Sequence, residues 1–207
     1  MLMKVCGMKY SDNISALASL KPDMMGFIFY PKSKRFVDKK VLEMSFREFD
    51  KNISKVAVFV NKSAEFIASD LVGLHFDYIQ LHGKEPIEEV IKLKNYGYKI
   101  IKAFPMSNAF EWDRTEAYEA YCDYFVFDTS SPNHGGSGQQ FDWNILKNYQ
   151  GKTPFLLSGG ISIQDIEQIK KFQHPQLAGI DINSKFEIEP GLKDIDLVQK
   201  MIKEFRR

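Results

Sequence analysis

Leu157-Ser158-Gly159-Gly160-Ile161, followed one unit later by Gly179-Ile180-Asp181-Ile182-Asn183-Ser184, is the stretch on which the fold turns. Each half runs from a short apolar strand straight into small or polar residues. A closed parallel barrel presents its chemistry in this way, at the carboxyl ends of its strands, with phosphate held by the loops after the last two. The Gly159-Gly160 pair lets backbone N–H groups approach an anion, and the helix that follows offers its positive end. At the other end of the chain, Lys4-Val5-Cys6-Gly7-Met8 has the same form and adds a thiol.

Working outward, strand and helix patterns alternate along the whole chain. Short apolar runs rich in Val, Ile and Phe predict buried parallel strands over 3–6, 24–29, 55–60, 78–81, 100–103, 124–128, 154–158 and 178–181. Amphipathic segments predict helices over 11–20, 39–49, 63–74, 86–96, 114–121, 142–149, 163–172 and 194–204. Ser11 or Asp12 is the natural N-cap of the first, Ser63 of the third, and Ser162 with Asp165 forms a capping box. Eight such units at about 26 residues each fit a (β/α)₈ TIM barrel near the lower end of its size range. An open doubly wound sheet has the same local βαβ pattern. The count of eight, and reactive residues spread over many strand ends, favour closure. No linker or low-complexity tract divides the chain, so residues 1–207 read as one α/β domain. The loop 129–140 is long and rich in Ser, Pro, Asn and Gly, the composition of a mobile lid.

The bulk properties exclude several classes. A formal net charge of +1 gives no field for nucleic acid or an anionic membrane. No apolar run approaches the roughly 20 residues of a membrane span, and the N-terminus is too short and strand-like for a signal peptide. A cytoplasmic location is expected. Cys6 and Cys122 form no CxxC pair, and a reducing cytosol disfavours a bridge between them. His75, His82, His134 and His174 lack metal-ligand spacing, so no metal site is expected.

Cys6, at the end of the first strand, sits where this fold places catalytic groups, whereas Cys122 falls at the opposite rim and reads as structural. Asp128 follows four apolar residues and either caps a turn or points into the cleft, where partial burial raises its pKa toward that of a useful acid. Arg35 lies in the basic loop Lys32-Ser33-Lys34-Arg35, either a solvated face or a planar clamp on a carboxylate. Gln80, near the end of the fourth strand, and His82, just after it, are expected to line the cleft, although a histidine without a visible partner is more often packed than catalytic. Asp181 either orients a ribose hydroxyl or supports its loop. Gly159, Gly160, Asn183 and Ser184 are the phosphate-binding candidates.

Taken together, these residues resemble the phosphoribosylanthranilate isomerase family of the tryptophan pathway, over nearly the whole chain. The resemblance rests on Lys4-Val5-Cys6-Gly7-Met8, Gly26-Phe27-Ile28-Phe29, Ser33-Lys34-Arg35, Gln80-Leu81-His82-Gly83 and Phe127-Asp128. It continues through Gly135-Gly136-Ser137-Gly138, Phe141-Asp142-Trp143, the two stretches quoted first, and Glu189-Pro190-Gly191-Leu192-Lys193-Asp194. It implies an Amadori rearrangement of N-(5-phosphoribosyl)anthranilate to 1-(2-carboxyphenylamino)-1-deoxyribulose 5-phosphate, without a cofactor. Cys6 is then the general base, Asp128 the general acid, and Arg35 a contact for the anthranilate moiety. A modest depression of the Cys6 pKa, by nearby positive dipoles or by the iminium intermediate, is expected to supply its thiolate. The expected partner is a small phosphosugar, bound by a monomer or homodimer. The sister isomerase of histidine synthesis uses two aspartates and a bis-phosphorylated substrate, and the indole-glycerol-phosphate synthase family needs a lysine acid at a strand end. A noncatalytic phosphosugar binder on the same fold needs only the phosphate loops.

Overall fold

The computed structural model describes all residues except Glu48, Asn108 and 130–139. The lid expected over 129–140, His134 and the Gly135-Gly136-Ser137-Gly138 motif therefore lie almost wholly outside the described residues. Eight parallel strands form a closed barrel: β1 (Leu2–Val5), β2 (Met24–Ile28), β3 (Ser54–Phe59), β4 (Tyr78–Leu81), β5 (Lys99–Met106), β6 (Tyr124–Thr129), β7 (Phe155–Leu157) and β8 (Leu177–Ile182). The pairing of β1 with β8, in register from Leu2 opposite Gly179 to Val5 opposite Ile182, closes the sheet and rules out the open doubly wound alternative. Around it run α1 (Ser11–Ser19), α2 (Lys39–Ser45), α3 (Ala64–Asp70), α4 (Ile87–Asn95), α5 (Asp113–Glu119), α6 (Ile166–Lys171) and α7 (Ile195–Arg206).

Several expected elements take a different form. Residues 142–149 make a 3₁₀ helix, Trp143–Asn148, rather than an α-helix. Trp143, Leu146 and Tyr149 are all buried, and their spacing of three stacks them on one face of a three-residue turn. The second helix stops at Ser45, because Phe46 and Phe49 turn inward to meet Phe27 edge-on, with centroids 5.2 and 6.4 Å away. Tyr10, not Ser11 or Asp12, is the N-cap of α1; the Ser11 hydroxyl accepts from Ser45 instead. Ser63 and the Ser162–Asp165 box cap as expected. A short antiparallel hairpin of β9 (Glu187–Glu189) and β10 (Leu192–Lys193) follows β8 and has no forerunner in the sequence patterns.

Alternation along each strand sorts the core into two shells. The larger lies between sheet and helices and holds Met3, Val5, Phe27, Phe59, Phe125 and Phe127 among many others. The smaller fills the barrel with Cys6, Met24, Val56, Val58, Ile101, Ala103, Val126 and Leu156. At the amino rim an aspartate precedes each of three strands. The carboxylates of Asp23, Asp77 and Asp123 accept from the backbone N–H of Met3, Lys55 and Ile100 at 2.8, 2.8 and 2.7 Å.

The β1–β8 seam is tight at Gly179, where an added Cβ would fall 2.0 Å from the Leu2 carbonyl oxygen. Backbone cannot rotate away as a side chain can. Gly179→Ala is expected to destabilise the protein by about 1–3 kcal/mol through overpacking, read as a lower urea midpoint; an unchanged midpoint would show that the seam has slack.

Candidate active site

One cavity opens at the carboxyl rim, lined by Cys6, Gln80, His82, Asp128, Asp181 and the Ser158–Ile161 and Asn183–Ser184 loops. The strands deliver these side chains from every side of the barrel. Cys6 directly follows β1, and its thiol occupies space left by Gly26 on β2, where a Cβ would lie 2.7 Å from Sγ. Immediately after it, Gly7 turns the chain with φ +82°, a conformation that favours glycine.

The floor of the cavity is charged. Lys4, fully buried inside the barrel, pairs with Asp181 at 2.7 Å, its register neighbour across the seam. Burial works against the Lys4 ammonium, yet Asp181 and Cys6 together lift its pKa above the ordinary lysine value. Burial raises Asp181, with Lys4 opposing and Asp128 adding to the rise. Cys6 also moves upward, chiefly by burial, with Lys4 drawing it back. This corrects the part of the expectation that drew the depression from the protein's own positive groups: the interior penalises the thiolate more than the neighbouring Lys4 favours it. Among the described residues, the second oxygen of Asp181, Oδ1, is buried without a hydrogen-bond partner, as is Oε1 of Gln80.

Across the cavity, His82 has the partners that its sequence context did not reveal. Gln80 Nε2 lies 2.9 Å from His82 Nδ1, and His82 Nε2 lies 3.3 Å from Asp128 Oδ2. With the amide donating to Nδ1, the ring proton sits on Nε2 and faces the carboxylate. Asp128 Oδ1 accepts from the Thr129 N–H at 2.8 Å, so the carboxylate is held at both oxygens.

Gly159 and Gly160 have φ of +94° and +66° and carry the loop after β7 into the cavity wall, with Thr129 packed against Gly159. The helix dipole contributes less than the sequence suggested. The first turn after this loop is a 3₁₀ turn, Ile163–Asp165, whose Asp165 carboxylate already caps the Ser162 N–H, and a second 3₁₀ turn, Ser184–Phe186, follows Asn183. What these loops present to the cavity is their own backbone.

Arg35 stands at the margin of this cavity, with Ser33 of its loop in the lining and its own side chain across Gly7 from the wall residue Asn183. Its Nη2 and Nε donate to Glu187 at 2.6 and 2.9 Å, so one edge of the guanidinium is already engaged. Glu187 also meets Lys193 at 2.7 Å, and Lys193 donates to Asn183 Oδ1 at 2.7 Å. Burial brings the Lys193 ammonium down to about 8 with Glu187 opposing. For Glu187 burial pushes the other way, but Arg35 and Lys193 prevail and hold its carboxyl below the usual range. Sequence reasoning missed Lys4, Glu187 and Lys193 as members of the site. Lys4 left one signal, a charge two residues from Cys6 and therefore on the same face of an otherwise apolar strand.

A closed parallel barrel with its reactive side chains gathered at the carboxyl rim is the architecture of a (β/α)₈ enzyme. A family model described as N-(5'phosphoribosyl)anthranilate (PRA) isomerase matches residues 3–204, and the chain belongs to that family of isomerases of tryptophan biosynthesis. The N-(5'-phosphoribosyl)anthranilate isomerase of Parabacteroides distasonis is 47% identical over 205 residues, covering 99% of this chain and 93% of its own. That of Staphylococcus haemolyticus is 35% identical, covering 100% and 99%. Among solved structures, the phosphoribosyl anthranilate isomerase from Thermotoga maritima superposes with a TM-score of 0.88 at 31% identity, covering 100% of this chain and 99% of that one. Another, in complex with reduced 1-(o-carboxyphenylamino)-1-deoxyribulose 5-phosphate, gives 0.85 at 28% identity, covering 100% and 98%.

The sign of the Cys6 shift is open to measurement. Alkylation of Cys6 by iodoacetamide, followed by peptide mass spectrometry, is expected to keep accelerating past pH 9, because the thiolate fraction is still rising there. A plateau below pH 8 would mean a depressed thiol.

Proposed function

We propose that this chain converts N-(5-phosphoribosyl)anthranilate into 1-(2-carboxyphenylamino)-1-deoxyribulose 5-phosphate, with Cys6 as general base and Asp128 as general acid. The observation that carries this reading is the meeting of Cys6, Asp128 and the two glycine- and asparagine-containing loops around one cavity. A noncatalytic binder needs only the loops.

The chemistry divides between the two sides. Breaking the bond from C1′ to the ring oxygen requires a proton on that oxygen, which Asp128 supplies as the nitrogen lone pair forms a Schiff base. The iminium makes the C2′ proton acidic, and the Cys6 thiolate removes it to give an enolamine. Ketonisation then transfers a proton from the 2′-hydroxyl to C1′ by way of the site or solvent. The protons balance, and no electron leaves the substrate. The raised Cys6 pKa fits this sequence, because the iminium is a cation placed beside the thiol at the moment its thiolate is needed. Lys4, fixed beneath, is the permanent part of that positive field.

In this reading the phosphate rests on backbone N–H groups of Gly159, Gly160, Asn183 and Ser184, and Arg35 receives the anthranilate carboxylate. Gln80, His82 and Asp181 face the sugar, with the unpartnered oxygens of Gln80 and Asp181 available to ribose hydroxyls. Residues 1–207 act as one catalytic domain, as a monomer or homodimer. A cytoplasmic setting is part of the same reading.

Cys6→Ser is expected to lower kcat by at least about 100-fold, since a hydroxyl ionises far less readily than a thiol. Asp128→Asn is expected to abolish turnover while leaving the Kd of the reduced product analogue nearly unchanged. Near-normal turnover in either variant, measured by the fluorescence decay of fresh substrate, would move the base or acid elsewhere. In a crystal grown with sulfate, the anion is expected against the Gly160 and Asn183 or Ser184 backbone N–H groups. Density found only beside the 32–35 loop would displace the phosphate site.

A further inference from the structure

The hairpin of β9 and β10 carries two buried charges that the mechanism above does not use. Glu187 and Lys193 are almost wholly buried, with side chains 4% and 0% exposed. Placing an ion pair out of water is costly unless each charge is fully engaged, and both are. Glu187 accepts from Arg35 Nε and Nη2, from Lys193 Nζ and from the Gly191 N–H at 3.1 Å. Lys193 donates in turn to the side-chain and backbone oxygens of Asn183, at 2.7 and 3.3 Å.

The planar guanidinium makes this arrangement meaningful. It offers two edges that match a carboxylate side by side, one built from Nε and Nη2 and the other from Nη1 and Nη2. Glu187 occupies the first edge, and among the described residues no hydrogen-bond partner meets Nη1, so the second edge is open to another carboxylate. An arginine so fixed has already given up the rotamer freedom that binding would otherwise remove. The local charge count agrees: Arg35 and Lys193 against Glu187 leave one net positive charge for one incoming anion. The bridge also reaches the other end of the proposed ligand, since Asn183 belongs to the cavity wall. Gly7 is confined between the two arms, where a Cβ would lie 2.7 Å from Asn183 Oδ1 and 2.8 Å from Arg35 Cδ.

The geometry points to Glu187 and Lys193 as positioning residues that set specificity for an aryl carboxylate. Glu187 holds Arg35 by one edge so that the other receives the substrate, and Lys193 ties this arginine to the phosphate loop through Asn183. The inference rests on the reading of Arg35 as the carboxylate anchor.

The test is a double-mutant cycle read with two probes. One is reduced 1-(o-carboxyphenylamino)-1-deoxyribulose 5-phosphate, and the other is the same molecule with an unsubstituted phenyl ring. Titration calorimetry gives Kd for the unaltered protein, Arg35→Ala, Glu187→Gln and the pair. Glu187→Gln keeps the shape of the side chain and removes its charge. It is expected to weaken the carboxylate-bearing probe by about 10-fold, to leave the phenyl probe within about 2-fold, and to add little on top of Arg35→Ala. Glu187→Asp, which keeps the charge and shortens its reach, is expected to show the same selective loss, and it decides the matter if Glu187→Gln does not fold. If Arg35→Ala selectively weakens the carboxylate-bearing probe but neither Glu187 variant does, or if the losses simply add, the positioning role is overturned while the anchor stands. Equal losses for both probes in Arg35→Ala would overturn the anchor and the inference together.

Discussion

The pairing of Lys4 with Asp181 is the constraint around which the rest of the molecule is arranged. The two residues face each other across the seam that closes the barrel, 2.7 Å apart and out of reach of solvent. Removing one member of such a buried pair typically costs about 3–5 kcal/mol, because the other is left charged and unpaired. Register slippage between β1 and β8 would do the same, so the ion pair adds a strong penalty against misaligned closure to the hydrogen bonds of the seam. It also divides the interior. Val56, Ile101, Val126 and Leu156 fill the barrel with hydrocarbon, while the carboxyl rim holds the groups that must meet a polar ligand. Cys6 lies at that boundary, buried enough for its thiolate to be penalised and near enough to a cation for the penalty to be reversible.

Much of this was legible in the chain. Eight apolar runs mark eight strands because a parallel strand buried on both faces leaves an unbroken record of Val, Ile and Phe. Positions at the strand ends followed from that, and Cys6, Gln80, His82, Asp128, Asp181, Gly159, Gly160, Asn183 and Ser184 do meet around one cavity. Arg35 was legible as a charge but not in its setting. Its partner Glu187 lies on a hairpin too short to leave a periodic signal, and 152 residues away in the chain. Caps were read well at Ser63, whose hydroxyl accepts from the Phe66 N–H of its own helix, and badly at Ser11, whose hydroxyl is engaged by another helix.

Glycines show the same limit from another side. Gly159 and Gly160 announce a turn by standing together. Gly26 and Gly179 sit inside strands, where sequence alone reads them as weak points. Their reason is the neighbour: the Cys6 sulfur in one case and the Leu2 carbonyl in the other. Neither contact is inferable until the strands are placed side by side, and both occur on strands adjoining β1. The strand that bears the thiol is thus flanked by glycine on each side.

The aspartates of the amino rim give the barrel a hidden arithmetic. Asp23, Asp77 and Asp123 each stand one residue before an even-numbered strand, and each clasps the first turnings of the odd-numbered strand before it through the same two bonds, carboxylate to N–H and N–H to carbonyl. Three quarters of the ring therefore repeat a two-strand module, and the fourth, at β7 and β8, lacks that aspartate and closes on β1 instead. One rim of this protein is periodic and the other is not. Modules that agree where they are fastened are free to differ where they face the ligand, and that separation lets a single scaffold diversify its chemistry without renegotiating its architecture.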